Sequence, residues 1–226
     1  MVTLDLSEDD HRRVSSAIAA AEATSDGEIL TIVSQDSDSY HDVALHWAVA
    51  VMIALMAVSA WQSAALSILW DRLAGGWGEA PSAGQLIFAV MILSVLGFLL
   101  ALLALKWRPL RLALTPGGTK TRRVRRRAIA LFRAAAERRT TGRTGVLIYL
   151  SLAEHRAEIV ADQAVTSVTT AECWGDAMAE LIAELHAGRP AEGLALAVEE
   201  VGEVLTRHFP KSGDDVNEIP DKLIVI

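Results

Sequence analysis

Two long stretches without Asp, Glu, Lys or Arg decide the fold of this chain: VALHWAVAVMIALMAVSAWQSAALSILW at residues 43–70 and APSAGQLIFAVMILSVLGFLLALLAL at residues 80–105. A membrane-spanning helix needs about 20 predominantly apolar residues to cross roughly 30 Å of hydrocarbon. Both stretches exceed that length, and a short loop joins them. The sequence therefore predicts a transmembrane helical hairpin over residues 43–107, between an N-terminal part at 1–42 and a C-terminal part at 108–226.

The charges that flank the hairpin are strongly asymmetric. Residues 1–42 carry ten acidic side chains and two arginines, whereas residues 106–143 carry thirteen Lys or Arg and a single acid, Glu137. Short segments rich in Lys and Arg beside a membrane helix stay in the cytoplasm. We therefore expect a multi-pass protein of the cell inner membrane, with two helices, both termini in the cytoplasm and the loop around Trp77 outside. The N-terminus lacks a signal-like apolar region, and a single cysteine, Cys173, fits a reducing compartment.

Outside the hairpin, the patterns of helices and strands predict an α/β domain. Ser7 precedes a helix as its N-cap, and the apolar runs Glu28–Ser34 and Gly145–Ser151 predict strands, the second followed by a hairpin partner at 158–161. Further helices are expected at about 119–139, 171–187 and 191–207, and a last short strand at 223–226. A strand, a helical crossover and a parallel strand form the common α/β unit. We therefore expect the first two strands to pair in parallel, with the membrane hairpin inserted into one domain.

Several segments of the two soluble parts resemble the TPM domain family. They are LSEDD at 6–10, GEI at 27–29, RAIALF at 127–132, TGVLIYLS at 144–151 and AEIVAD at 157–162. The resemblance implies an α/β sandwich with a small mixed β-sheet flanked by helices. It also implies an acid phosphatase activity, calcium binding, or a role in the maintenance or assembly of membrane complexes. The chain departs from the family pattern after the third strand, where DQAV at 162–165 replaces a Gly-rich segment.

Three acids are expected to meet at the end of the sheet distant from the membrane. Asp26 and Glu28 open the first strand, and Asp162 follows the third. Carboxylate oxygens are ligands for hard cations, so these residues are candidates for a divalent cation such as calcium. The alternative is that they are ordinary solvated acids at strand ends. No other cofactor is expected.

An arginine cluster follows the second apolar stretch and is the strongest charge signal in the chain. It contains Arg122, Arg123, Arg125, Arg126 and Arg127. Beside a membrane exit, such a cluster sets the topology and attracts anionic lipid headgroups, by about 1 kcal/mol per basic residue. It lacks the interleaved aromatic residues that stack on bases, so we expect the lipid bilayer as a partner and no nucleic acid.

Three further positions in the sequence are candidate sites. Glu154 and His155 could form an acid–base pair, although polar residues are ordinary in a hairpin turn. Cys173 could gain reactivity at a helix start, although an idle thiol is the simpler reading. His46 lies in the first apolar stretch close to Trp47, where an interfacial role is expected.

Two functions are compatible with these features. The first is a membrane-tethered binding or assembly module whose cytoplasmic TPM-like domain contacts membrane-protein partners and anionic lipid. The second is a phosphatase-like hydrolase that depends on a divalent cation held by the acids at the sheet end.

Overall fold

The computed structural model describes residues 6–73, 81–135, 144–212 and 222–226. The chain divides into an α/β unit, Met1–Ser39 with Gly117–Ile226, and a helical unit, Tyr40–Pro116. The sequence-based division at 43 and 107 differs from this one mainly at the second boundary, because the short helix that follows the hairpin lies in the helical unit. The loop around Trp77 and the expected helix end near Arg139 lie outside the described residues.

The described secondary structure comprises the following elements. The helices are α1 (Glu8–Glu22), α2 (His41–Trp61), α3 (Ser63–Leu73), α4 (Ala83–Ala104), α5 (Arg108–Ala113), α6 (Gly117–Ala135), α7 (Gln163–Val168), α8 (Gly175–His186) and α9 (Pro190–His208), with a 3-10 turn at Ala171–Trp174. The strands are β1 (Glu28–Ser34), β2 (Gly145–Ser151), β3 (Arg156–Ala161) and β4 (Leu223–Val225).

The four strands form one mixed sheet in the order β3-β2-β1-β4. β1 runs parallel to β2, with Glu28 opposite Gly145 and Ser34 opposite Ser151. β4 is also parallel to β1, whereas β2 and β3 form an antiparallel hairpin. The predicted parallel pairing of the first two strands, which the two long apolar helices separate in the sequence, is therefore confirmed.

Helices cover both faces of this sheet. Side chains alternate between the two faces of a strand, so Ile29 and Val33 belong to one core and Leu30 and Ile32 to the other. The first core packs against α1, α8 and α9, and the second packs against α6 through Val124, Ala128 and Phe132. Burial on both faces explains the nearly continuous apolar runs of β1 and β2, and the predicted α/β sandwich with a small mixed sheet is confirmed.

Two features of α1 determine where it starts and how closely it packs. Ser7 accepts a hydrogen bond from the Asp10 amide at 3.1 Å, and the Asp10 carboxylate accepts one from the Ser7 amide at 2.9 Å. This reciprocal capping satisfies amides that the first turn leaves open. Farther along, α1 approaches α9 so closely that a Cβ atom on Gly202 would lie 2.6 Å from the Cβ of Ala21. Only glycine allows this approach without displacement.

The helical unit contains two helices that are long and apolar enough to cross a membrane, α2 with 21 residues and α4 with 22. Only 17% and 6% of their most apolar windows are buried within the structure, so these are not core helices of the kind that a soluble protein hides. Ile87 and Leu100 of α4 are 70% and 64% exposed. The first apolar stretch is not one helix, since α2 ends at Trp61 and α3 starts at Ser63.

Gly97 of α4 lies at the contact between α2 and α4. A Cβ atom at this position would collide with the Leu55 side chain. The sequence predicts close packing of the two helices through small residues, namely Gly97 with Ala50, Ala54, Ala57 and Ala60. Gly97 does lie at the contact, whereas the four alanines are exposed and the buried small residues of α2 are Ala44, Ala48 and Ser59.

Candidate functional site

The arginine cluster lies on α6, and the periodicity of that helix separates its two faces. Val124, Ala128 and Phe132 recur every four residues and are buried against the sheet. Residues between them point away from that core. Four of the five arginines are exposed: Arg122, Arg125, Arg126 and Arg127.

Arg123 differs from the other four arginines. Its side chain is 15% exposed, and its Nη1 atom lies 3.1 Å from the Asp38 Oδ2 atom in an ion pair. Asp38 belongs to the segment that follows β1, so the pair ties the start of α6 to the point where the chain leaves the sheet. We therefore assign Arg123 to the internal structure of the α/β unit, and the exposed four to any contact with a surface outside it.

A buried polar network lies at the C-terminal ends of β1 and β2. The Ser37 amide donates to Glu154 Oε1 at 2.9 Å, and the Ser37 hydroxyl lies 3.0 Å from the hydroxyls of both Tyr149 and Ser151. Ser151 also donates to the second Glu154 oxygen. The sequence carried no signal of this network, because Ser37 lies more than a hundred residues before the other three members.

Glu154 and His155, the two residues predicted as an acid–base pair, have different partners in the structure. Glu154 is buried, and its two oxygens accept the hydrogen bonds of Ser37 and Ser151. His155 adopts a left-handed backbone conformation with φ of 50° and stacks on His186 of α8, with ring centroids 5.4 Å apart and planes 25° apart. The two side chains thus engage different partners.

A groove of about 420 Å³ surrounds the turn between β2 and β3. Its lining comes from that turn, β3, α6 and α8: Thr121, Glu154, His155, Arg156, Ala157, Glu158, Met178, Ile182 and His186. Arg156 Nε is buried and has no hydrogen-bond partner among the described residues.

Burial shifts the protonation of two groups in the groove. It lowers the pKa of His155, and the nearby positive charges of His186 and Lys120 lower this pKa further. It raises the pKa of Glu158, against the opposing effect of Arg125 and Arg156. Both shifts favour the neutral form, as expected where solvent is partly excluded.

The three acids proposed for a cation lie at the opposite end of the sheet. Thr144 donates to the Asp26 carbonyl at 2.8 Å, the Asp162 amide donates to the Gly145 carbonyl at 2.8 Å, and Glu28 stands opposite Gly145 in the sheet. The prediction that they share one end of the sheet is therefore correct for the backbone.

Two of these carboxylates are engaged separately. Asp26 accepts the Ser212 amide at 2.7 Å, and this hydrogen bond lowers its pKa. Asp162 caps α7 by accepting the Gln163 amide at 2.8 Å. Among the described residues, no group of three or more His, Cys, Asp or Glu side chains is placed to hold a metal ion. The calcium site at Asp26, Glu28 and Asp162 stays a prediction.

The other two candidates have simple local contacts. Cys173 is exposed, lies 3.7 Å from the Thr170 hydroxyl, and has its pKa lowered chiefly by hydrogen bonding to Thr170. His46 bonds through Nδ1 to the Asp42 carbonyl of its own helix. The thiol thus contacts a hydroxyl and the imidazole contacts a backbone carbonyl, and neither of these two contacts pairs a nucleophile with a base.

Comparison with known proteins agrees with the fold. Residues 114–204 match the family model of the TPM domain. The chain contains a TPM domain. Its structure is also similar to the NMR structure of the BA42 protein from the psychrophilic bacterium Bizionia argentinensis, with a TM-score of 0.57 and 16% identity over 100% of both chains. No curated protein matches the chain.

The match to the TPM domain confirms the resemblance predicted from the sequence, and the likeness to BA42 at this identity shows the fold alone. The matched range includes β2, β3 and α6 to α8. The segment that departs from the family pattern, at 162–165, forms the capped start of α7. In this TPM domain, Asp162 therefore has a structural role at a helix end.

Proposed function

We propose that the chain is a membrane-tethered binding or assembly module, in which a cytoplasmic TPM domain contacts membrane-protein partners and anionic lipid. The observation that carries this proposal is the exposure of the two apolar helices, α2 and α4. Exposed apolar surface of this length is costly in water and is stable in hydrocarbon. A TPM domain attached in this way works at a membrane surface.

The exposed arginines of α6 support contact with lipid. Arg122, Arg125, Arg126 and Arg127 lie on a helix whose opposite face is fully used in the core. Each basic residue near an anionic surface contributes about 1 kcal/mol, so the four together favour a surface rich in acidic headgroups. Their positive charge also favours the cytoplasmic side for this part of the chain.

The hydrogen bonds made by the acidic side chains favour a binding function over hydrolysis. Glu154 anchors the segment after β1, Asp162 caps α7, and Asp26 accepts the Ser212 amide. These are contacts that hold loops and helix ends in place. The alternative, a phosphatase-like hydrolase that depends on a divalent cation, needs Asp26, Glu28 and Asp162 to act together on one ion.

One experiment separates the two functions. The full chain is purified in detergent from its native membranes, its co-purifying proteins are identified, and its turnover of a phosphomonoester is measured with and without calcium. We expect specific membrane-protein partners and no turnover above the background of Asp162→Asn. Turnover that this substitution abolishes would instead establish the hydrolase.

Lipid contact and topology are tested on the same protein. Flotation with vesicles that contain anionic lipid should weaken when Arg122, Arg125, Arg126 and Arg127 are changed together to Gln, whereas Arg133→Gln serves as a matched single change near the end of the same helix. A reporter fused after Ile226 should behave as cytoplasmic, and one inserted near Gly78 as external. The reverse pattern of reporters would contradict the proposed topology.

A further inference from the structure

The outer side of strand β3 is the edge of the sheet. The strand order is β3-β2-β1-β4, so within the described part of the chain β3 pairs with β2 alone. An edge strand directs every second amide and carbonyl away from its neighbour. These backbone groups are able to form hydrogen bonds with one further strand.

One hydrogen bond identifies the residues of β3 whose backbone groups face outward. The Asp162 amide donates to the Gly145 carbonyl at 2.8 Å, in the same register as the rest of the β2–β3 pair. Hydrogen-bonded pairs alternate with pairs that are not hydrogen-bonded in an antiparallel ladder, so the even-numbered residues of β3 bond to β2. The odd-numbered residues, Ala157, Ile159 and Ala161, therefore direct their amides and carbonyls outward.

The outward amides of β3 have no hydrogen-bond partner among the residues that the structure describes. Ala157 is only 8% exposed, and it lines the groove of about 420 Å³ at the β2–β3 turn. Backbone groups that are largely shielded from water are nearly always paired in proteins. The groove therefore runs along an edge at which backbone hydrogen bonds are still to be made.

Two helices form the walls of this groove. Ala157 belongs to the core that α8 covers, and Val160 packs against the core that α6 covers, so the helices flank β3 on its two faces. Thr121 lines the groove from α6, and Met178 and Ile182 line it from α8. An edge recessed in this way has room for a single extended chain. A second sheet that carries its own helices would collide with α6 and α8.

The two walls also define the side chains that an added strand should carry. Side chains alternate between the two faces of a strand, and directly paired residues share a face. Residues paired with Ala157 and Ile159 would point to the α8 wall, where apolar side chains are only partly buried. Residues opposite Arg156 and Glu158 would point to the α6 side, where an acid and a base respectively form favourable cross-strand pairs.

We propose that the outer edge of β3 binds an extended segment of a membrane-protein partner as an added strand, in which apolar residues alternate with charged ones. This inference names how the binding module holds its partner, and it rests on the proposed function. Backbone hydrogen bonds to Ala157 and Ile159 provide affinity, and the two walls provide selectivity, as in other cases of strand addition.

The test uses a synthetic peptide and the full chain purified in detergent. The probe is Thr-Val-Lys-Val-Glu-Thr with a fluorescent label at its N-terminus and an amide at its C-terminus, and binding is followed by fluorescence anisotropy. In the antiparallel alignment its valines pair with Ile159 and Ala157, its lysine faces Glu158 and its glutamate faces Arg156. We expect saturable binding and slower deuterium exchange of the β3 amides.

Two methylated forms of the probe separate strand addition from other modes of binding. Methylation of the amide nitrogen of the second valine removes the N–H group that would bond to the Ala157 carbonyl, and it should weaken binding by about tenfold. Methylation at the lysine nitrogen removes an N–H group that points away from β3, and it should have a much smaller effect. Both peptides keep every side chain of the probe.

A matched pair of proline substitutions tests the protein side. Ala157→Pro removes an outward amide and leaves the ladder to β2 intact, since proline is tolerated where an edge strand faces outward. We expect this variant to unfold near the wild-type temperature and to bind the probe at least tenfold more weakly. Ala161→Pro makes the same change at an outward position beyond the groove lining and should bind like wild type. If Ala157→Pro does not fold, the methylated probes still decide.

Three results would overturn the proposal: no saturable binding of the probe, equal binding of the two methylated forms, or wild-type binding by folded Ala157→Pro. A dimer that Ala157→Pro abolishes, without binding of the probe, would overturn it by assigning the edge to a second copy. Failure of the proposed function is distinct, since it appears as phosphomonoester turnover that Asp162→Asn abolishes and leaves probe binding unchanged.

Discussion

The TPM domain and the helical unit use apolar residues in opposite ways. In the TPM domain, Leu147 of β2 and Val124 of α6 are completely buried on one side of the sheet. In the helical unit, Leu99 is 53% exposed although α4 is the more apolar of the two long helices. The difference teaches that the α/β unit buries its apolar side chains within its own layers, whereas the helical unit leaves them exposed on two helices that are long and apolar enough to cross a membrane.

The largest effect is expected when one leucine in each unit is truncated to alanine. Leu147→Ala should lower the free energy of unfolding by about 2–5 kcal/mol, because it leaves a cavity in a closed core. Leu99→Ala removes the same atoms from an exposed face and should cost much less. Thermal unfolding of the purified full chain in detergent measures both. Equal losses for the two variants would contradict the different burial.

The second test places a charge in the membrane span. Ile92 lies near the middle of α4, and Ile92→Arg should disfavour insertion by about 3 kcal/mol. Extraction of membranes with alkaline carbonate should then release part of the protein. Ala134→Arg adds the same charge on the exposed face of α6 and should leave the protein in the membrane. Retention of Ile92→Arg at the wild-type level would argue against a span at α4.

The third test concerns the two classes of arginine on α6. Arg123→Gln breaks the ion pair with Asp38 and should destabilise the TPM domain by about 1 kcal/mol, since the pair is partly shielded from water. Arg126→Gln, on the exposed face, should change stability by less than this and reduce binding to anionic vesicles instead. Unfolding in denaturant and vesicle flotation provide the two measurements. If Arg126→Gln destabilised the domain and Arg123→Gln reduced vesicle binding instead, the assignment of Arg123 to the internal structure would be overturned.

The smallest expected effects are those of pH on the groove. The pKa of His155 is lowered from 6.5, so its contribution to stability is present above about pH 6.5 and is lost as the pH falls through its folded-state value. The pKa of Glu158 is raised from 4.5, so its contribution is present below about pH 4.5 and is lost as the pH rises through its folded-state value.

Substitution separates these two pH effects. His155→Gln should reduce the loss of stability on mild acidification, and Glu158→Gln should raise the unfolding temperature at neutral pH. Both are measured as unfolding temperature against pH in the full chain. If the two variants follow the wild-type curve at every pH, then burial does not shift these groups.

Much of the fold was predictable because it depends on local patterns. The long apolar stretches, the Ser7 cap and the strands Glu28–Ser34 and Gly145–Ser151 each have a signature within a few residues. The parallel pairing followed from the rule that a helical crossover joins parallel strands. The break between α2 and α3 was not predicted, because Gln62 sits in a sequence that is apolar on both sides.

The candidate sites were less predictable, because their members are far apart in the chain. Arg123 looks like its neighbours in sequence, and only the position of Asp38 sets it apart. Ser37 gave no signal, yet it joins Tyr149, Ser151 and Glu154. His186 was not singled out at all, since its importance depends on its stacking with His155.

By itself, the sequence determined the membrane-spanning length of the two apolar stretches, the charge asymmetry around them and the TPM domain, because each depends on composition or order along a short segment. Only the tertiary structure decided which arginine of α6 is paired inside the α/β unit, which groups the acidic side chains bind, and that His155 stacks on His186. These depend on contacts between separate segments of the chain, such as Arg123 with Asp38 and His155 with His186, and such contacts exist only once the chain has folded.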